Sequence, residues 1–210
     1  IKVNGDTIDT INVTNLANPA RSLLIGVGAN GSSGINSSFM KGYISDFHYV
    51  TGTTATESSV PTELMATHSS SALHIKGTDA AILDKSQREY LTLYGAANST
   101  DVLTSSSTPP YIGAAWQNSS AIKLLQSSSQ DYIYPQNIDL SDEPFTIESW
   151  VYQTNQSGAD VLFDFRPNGS SSGDYFNLFI ENGVPKLQAP SLVSDTTLSA
   201  NTWHHLAITK

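Results

Sequence analysis

Apolar residues in this chain either alternate with polar ones or come in runs of about four to eight, and helical spacing is nearly absent. The runs are bounded by clusters of Gly, Asn, Ser and Pro, which break regular structure and favour turns. Candidate strands are SLLIGVG (22–28), FMKGYISDFHYV (39–50), ALHIKG (72–77), YLTLYG (90–95), AIKLLQ (121–126), DYIYP (131–135), FTIESWVYQT (145–154), DVLFDFR (160–166), YFNLFIENG (175–183), PKLQA (185–189) and WHHLAIT (203–209). Asn182-Gly183 predicts a tight hairpin, because both residue types tolerate the positive φ such a turn needs. Asn4-Gly5, after the short run IKV, predicts another.

A chain built this way needs enough apolar surface to cover two sheet faces. Its 210 residues are 39% hydrophobic and 14% charged, so a sizeable core is available and disorder is excluded. Ser, Thr, Asn and Gly replace charge at the surface, as in turn-rich β proteins. The net charge of −9 repels phosphate backbones and anionic lipid, which argues against nucleic-acid partners and polybasic membrane contact. There is no cysteine, hence no disulfide, thiolate nucleophile or Cys-metal site. No apolar run reaches the length of a membrane-spanning helix, so membrane insertion is not expected.

Two Ser/Thr-rich stretches, 51–71 and 98–110, read as linkers or long loops. They divide the chain into 1–55, a segment 56–110 with a short strand pair, and a larger β segment, 111–210.

The ordered parts of the last segment carry a resemblance. SQDYIYPQNIDLSDEPFTIESWVYQT, then NGVPKL, then LSANTWHHLAITK resembles the first half of a laminin-G-like, concanavalin A-like jelly roll. The parts that would follow stand at the front of the chain: IKVNG (1–5), LLIGVG (23–28) and FMKGYISDFHYVTGT (39–53). The resemblance implies an all-β fold, a concanavalin A-like jelly-roll sandwich of antiparallel strands. It implies parts of two tandem units joined by a linker: residues 1–55 the C-terminal half of one, 56–110 the linker, 111–210 the N-terminal half of the next. The other arrangement is a circular permutant, with 1–50 folded back onto 111–210.

The connecting segment, GYISDFHYVTGTT followed by ALHIKGTDAAILDKSQREYLTLYG, is similar to repeats in virion proteins of tailed bacteriophages, notably cyanophages. His48 departs from the pattern, which often has Arg there, so any charge contact of that Arg is in doubt. The resemblance implies a non-enzymatic module of a fibre, tail or capsid-surface appendage, exposed on the virion surface or otherwise extracellular. Its partners would be other virion subunits or copies of itself, and host-surface glycans. The alternatives are a carbohydrate-active enzyme or its lectin module, and a bacterial extracellular adhesin. The Asn-x-Ser/Thr sequons at Asn12 and Asn98 would be glycosylated only in a eukaryotic secretory setting.

Relatives of the fold include glycoside hydrolases, whose retaining members need two carboxyls about 5–5.5 Å apart. On the predicted strand 145–154, Glu148 shares its face with Thr146, Trp150 and Tyr152, none of them acidic. Asp160 or Asp164 would have to supply the second carboxyl across strands; the other reading is a Glu148 held in a structural hydrogen bond. His204 and His205 are neighbours on a strand and point to opposite faces, so they cannot act together. His205 is expected to be a core histidine bonded to backbone rather than a metal ligand. No catalytic residue is assigned. The acids of DLSDE (139–143) admit calcium, or turns whose Asp side chains satisfy backbone amides; no other cofactor is implied.

A glycan would need aromatic faces and hydrogen-bonding side chains. Trp150 and Tyr152 supply the first, Asp164 and Arg166 the second; against this, aromatic residues in a sandwich are usually core. Asp46 and His48 project together and are expected at solvated positions.

Overall fold

The computed structural model describes residues 1–10, 23–28, 38–52, 60–61, 65–77, 81–95, 98–100, 121–124, 131–136, 138, 140, 143–165, 176–188 and 191–210. Among them there are sixteen strands and two sheets, and no helix is long and apolar enough to cross a membrane.

The larger sheet runs β2 (Asp6–Thr7), β1 (Lys2–Val3), β16 (Trp203–Thr209), β11 (Phe145–Gln153), β4 (Gly42–Thr51), β5 (Ser71–Gly77), β6 (Ile82–Asp84), with β9 (Ala121–Leu124) on the first residues of β4 and β8 (Asn98–Thr100) on β9. The smaller sheet runs β15 (Leu192–Val193), β14 (Val184–Leu187), β13 (Asn177–Glu181), β12 (Ala159–Asp164), β3 (Leu24–Ile25), β10 (Tyr132–Pro135), β7 (Leu91–Tyr94). Every pairing is antiparallel.

Both Asn-Gly hairpins form. Asn4 and Gly5 take φ of 49° and 86°, Asn182 and Gly183 take 51° and 81°. Two successive positive φ values match the turn to the twist of its strands.

The inner faces of the sheets meet in one core. From the larger sheet come Ile44, Phe47, Tyr49, Leu73, Ile75, Phe145, Ile147, Val151, Leu206 and Ile208; from the smaller, Ile25, Ile133, Leu162, Phe163, Leu178 and Ile180. Aromatic rings bridge the layers edge to face: Phe47 with Phe163 at 6.2 Å, Tyr49 with Phe165 at 6.0 Å, Phe145 with Phe176 at 5.6 Å. Such pairs add about 0.5–1.5 kcal/mol each beyond the area they bury.

The three segments of the sequence interleave. β1 pairs with β16, and β4 lies between β11 and β5. Within this chain, described strands of residues 1–50 therefore pair with strands of 111–210. The segment 56–110 departs from its expected role as a linker. Its β5 joins the larger sheet, with Leu73 and Ile75 fully buried, and its β7 joins the smaller. The apolar alternation of ALHIKG is what draws it in: leaving Leu73 and Ile75 in water would forfeit about 1.5–3 kcal/mol each.

Candidate functional site

The outer face of the larger sheet carries a row of ionisable side chains across three strands. Register sets it: Glu148 on β11 stands opposite His48 on β4, and His48 opposite His74 on β5. A bulge in β4 makes this possible. Ser45 pairs with Trp150 and His48 with Glu148, so Asp46 and Phe47 together face Ser149. Asp46 takes the extra residue in a left-handed conformation, φ 58°, which Asp tolerates better than most side chains. The slip lets Phe47 enter the core while His48 stays on the face of Tyr43 and Ser45.

Asp46 is the hub of the row. One carboxylate oxygen, Oδ1, accepts from His74 Nε2 at 2.6 Å and lies 3.4 Å from Lys76 Nζ. Its Oδ2 accepts from the Met65 amide at 2.8 Å. His74 completes itself through Nδ1 and the Thr67 hydroxyl, 2.7 Å away. His48 stacks on His74 with centroids 4.2 Å apart and bonds the Ser71 hydroxyl at 2.7 Å through Nε2. Its Nδ1 lies 3.8 Å from Glu148 Oε1. On the far side of Glu148, His205 Nε2 lies 3.2 Å from Oε2, without hydrogen-bond alignment. Burial pushes the His48 imidazole down to about 3, with His74 beside it adding to the effect and Asp46 opposing it. His48 is therefore neutral near pH 7.

Asp46 and His48 are 1% and 2% exposed, not at solvated positions as expected. The physical reason is that β5 and residues 65–68 close over them and supply their partners. Signal for this existed in ALHIKG, whose alternation sets His74 and Lys76 on the face opposite Leu73 and Ile75. The place where Arg was expected holds His48, and its distance to Glu148 is that of a loose ion pair at most.

The carboxyls considered as partners of Glu148 lie elsewhere. Asp160 is buried in the smaller sheet, where its Oδ2 accepts from Gln153 Nε2 at 2.9 Å and its Oδ1 lies 3.8 Å from Lys41 Nζ. Gln153 is five residues along β11 from Glu148, a rise of roughly 17 Å. Burial raises the Asp160 carboxyl above its ordinary range, against the Gln153 and Lys41 contacts that lower it. Asp164 is fully buried opposite Leu24 and Asn177 in the other sheet. Two sheets stack about 10 Å apart, so a side chain of the smaller sheet does not reach the outer face of the larger.

Three of the four residues expected to touch a glycan, Trp150, Tyr152 and Asp164, are buried instead. Trp150 is 1% exposed and Tyr152 8%; they pack with Tyr43, Ala121 and Trp203 in a second apolar cluster. Tyr152 meets Tyr43 edge to face at 5.7 Å, and Trp150 lies against His205 at 5.3 Å. Neither presents a free ring, and Asp164 presents no carboxylate. Arg166 lies outside the described residues, as do Asp139 and Asp142 of the acidic loop.

His204 and His205 do turn to different surroundings. It is His204, not His205, that bonds backbone: its Nε2 is 3.0 Å from the Ser199 amide, and its Nδ1 3.1 Å from Asn4 Nδ2. Burial lowers its pKa, with the Ser199 contact opposing. Among the described residues no group of three or more His, Asp or Glu side chains is placed to hold a metal ion.

Neither a curated protein nor a solved structure matches the chain. The two antiparallel sheets form a concanavalin A-like jelly-roll sandwich, and residues 127–210, which supply β10 through β16, match the laminin-G-like family model described as the concanavalin A-like lectin/glucanases superfamily.

Proposed function

We propose that this chain is a non-enzymatic adhesion module of a tailed-phage virion, carried on a fibre, tail or capsid-surface appendage. It works at the virion surface, against other virion subunits or copies of itself, and grips host-surface glycans. A carbohydrate-binding or adhesion role fits the lectin-like family that residues 127–210 match. The phage setting is supported by the resemblance of the connecting segment 42–95 to virion repeats.

The observation that carries the non-enzymatic reading is the company Glu148 keeps. A glycosidase site sets a second carboxyl beside the first, with room for sugar or water. Glu148 is flanked by His48 and His205, and Asp46 on the same face has both oxygens committed to His74, Lys76 and the Met65 amide. Asp46 is occupied in holding strands together, and Glu148 faces two imidazoles rather than a second carboxyl.

The test is incubation of the purified chain with a panel of oligosaccharides, following both retention and release of reducing ends. Retention without release is the expected result. Release that disappears in Glu148→Gln would replace this reading with a carbohydrate-active enzyme.

A further inference from the structure

Exposed aromatic surface is concentrated at one edge of the smaller sheet. Among the described residues the large exposed hydrophobics are Leu83, Tyr90, Leu93, Tyr94 and Val193, and three of these five lie within residues 90–94. Tyr90 is 82% exposed and Tyr94 41%. Tyr90 immediately precedes β7, and continued alternation through Thr92 sets Tyr90, Thr92 and Tyr94 on one face. The neighbouring β10 matches them residue for residue. Tyr94 stands opposite Tyr132, Thr92 opposite Tyr134, and the Tyr90 carbonyl accepts from the Gln136 amide at 3.1 Å.

The result is a grid of two strands by three residues: four tyrosines, one threonine, one glutamine, and no formal charge. It is held rigidly. Tyr94 lies flat on Tyr132, centroids 4.3 Å apart and planes 6° apart, and Tyr132 is buried against Val27 and Phe39. A ring stacked on one side keeps its exposed surface on the other side and at its rim. Gln136 Nε2 reaches the Thr92 hydroxyl at 3.4 Å, which places an amide and a hydroxyl between the rings.

We propose that this grid is a binding site for an uncharged oligosaccharide. The proposal rests on the adhesion reading above and gives that reading a surface. Flat aromatic faces take the apolar C–H side of a pyranose ring, while the phenols, amide and hydroxyl exchange hydrogen bonds with its hydroxyls. Pre-stacking of Tyr94 removes part of the ordering cost of binding. The grid offers no cation, and the chain carries a net charge of −9, so sialylated or uronate glycans are repelled. From Tyr90 to Tyr94 the strand spans roughly 14 Å, longer than a single sugar ring, which favours an oligosaccharide.

The experiment compares the full chain with Tyr94→Ala, Tyr90→Ala and Gln136→Ala on immobilised neutral hexose and N-acetylhexosamine oligosaccharides, with sialylated and uronate glycans alongside. Calorimetry follows on any hit, and sedimentation reports oligomeric state. The expected result is binding confined to neutral glycans, weakened at least tenfold by Tyr94→Ala and by Tyr90→Ala, and a few-fold by Gln136→Ala. Tyr90 is too exposed for its loss to disturb the fold, so it guards against a Tyr94 variant that merely misfolds. Neutral glycans bound with unchanged affinity by both tyrosine variants would overturn this site and leave the adhesion reading standing. Wild-type chain that binds none of the glycans would overturn both. Tyrosine variants that instead convert a dimer to a monomer would overturn the proposal in favour of a contact between two copies of the chain.

Discussion

His48 and His74 stack with ring planes 21° apart, both nearly inaccessible to water. The pair is comfortable only while His48 is uncharged, because burial strips water from a charged ring there and the carboxylates near it, Asp46, already shared, and Glu148, 3.8 Å away, do not make up the loss. His68 also stacks on His48, centroids 6.0 Å apart.

A pH dependence follows. An unfolded chain protonates His48 near its ordinary value of about 6.5, the folded chain only near 3. Between those values the unfolded state binds more protons, so stability is full above about pH 6.5 and falls as pH drops toward 3. The loss is on the order of 3–5 kcal/mol across that window. Thermal melts from pH 7.5 to 3.5 should show a falling midpoint, and His48→Gln, less stable at neutral pH, should show a flatter slope. Equal slopes would remove His48 as the cause.

Asp84 has an acid limb at lower pH. Its carboxylate accepts from the His74 amide at 3.0 Å, from the Ser86 amide and hydroxyl, and from the Arg88 and Glu89 amides at 3.1 and 3.0 Å. Burial alone would raise this carboxyl, but the hydrogen bonds outweigh it and hold it below the ordinary range. Its contribution is therefore complete above about pH 4 and is lost as pH falls through the depressed folded value. Asp84→Asn turns an amide donor toward the Arg88 and Glu89 N–H groups and should cost about 2–3 kcal/mol in urea unfolding at pH 7. A loss below about 0.5 kcal/mol would mean that the turn holds without the carboxylate.

Gly42 is a steric test of the β4–β11 seam. A Cβ built there falls 1.8 Å from the Tyr152 carbonyl oxygen, a backbone atom that cannot swing aside. Gly42→Ala should destabilise by about 1–3 kcal/mol or more. It should also speed amide exchange at Thr154, whose N–H bonds the Lys41 carbonyl. Unchanged exchange would place the strain elsewhere.

Trp150 separates packing from recognition. Buried on the outer face of its sheet, it should cost about 3–5 kcal/mol when cut to Ala. In a denaturant titration Trp150→Ala should unfold early, and in conditions where it remains folded it should hold any glycan as the parent chain does. Selective loss of glycan affinity with full stability would return Trp150 to the role of a contact residue.

Much of this architecture is legible in the sequence. Two-residue alternation locates β4, β5, β11, β12 and β16, because a strand half buried in a sandwich must alternate. The Asn-Gly pairs locate both tight hairpins, because positive φ at two successive residues demands such residue types. The order of motifs points to the sandwich but leaves open whether IKVNG and HHLAITK belong to one unit or two; the pairing of β1 with β16 comes from the structure. What alternation cannot supply is register and neighbourhood. A single inserted residue at Asp46 changes which face His48 occupies, and no local pattern announces a bulge. The same parity that sets Glu148, Trp150 and Tyr152 on one face cannot say whether that face is wet. Burial there depends on Tyr43, Trp203 and Ala121 arriving from distant parts of the chain. Likewise Tyr90, Thr92 and Tyr94 look like any modest strand until β10 brings Tyr132, Tyr134 and Gln136 beside them. Strands, their turns and the apolar faces that force two sheets together are written locally, since they depend on backbone preference and periodicity. Which polar side chains are sealed inside and which aromatics are left in water is settled by the fold, since that depends on which strands become neighbours.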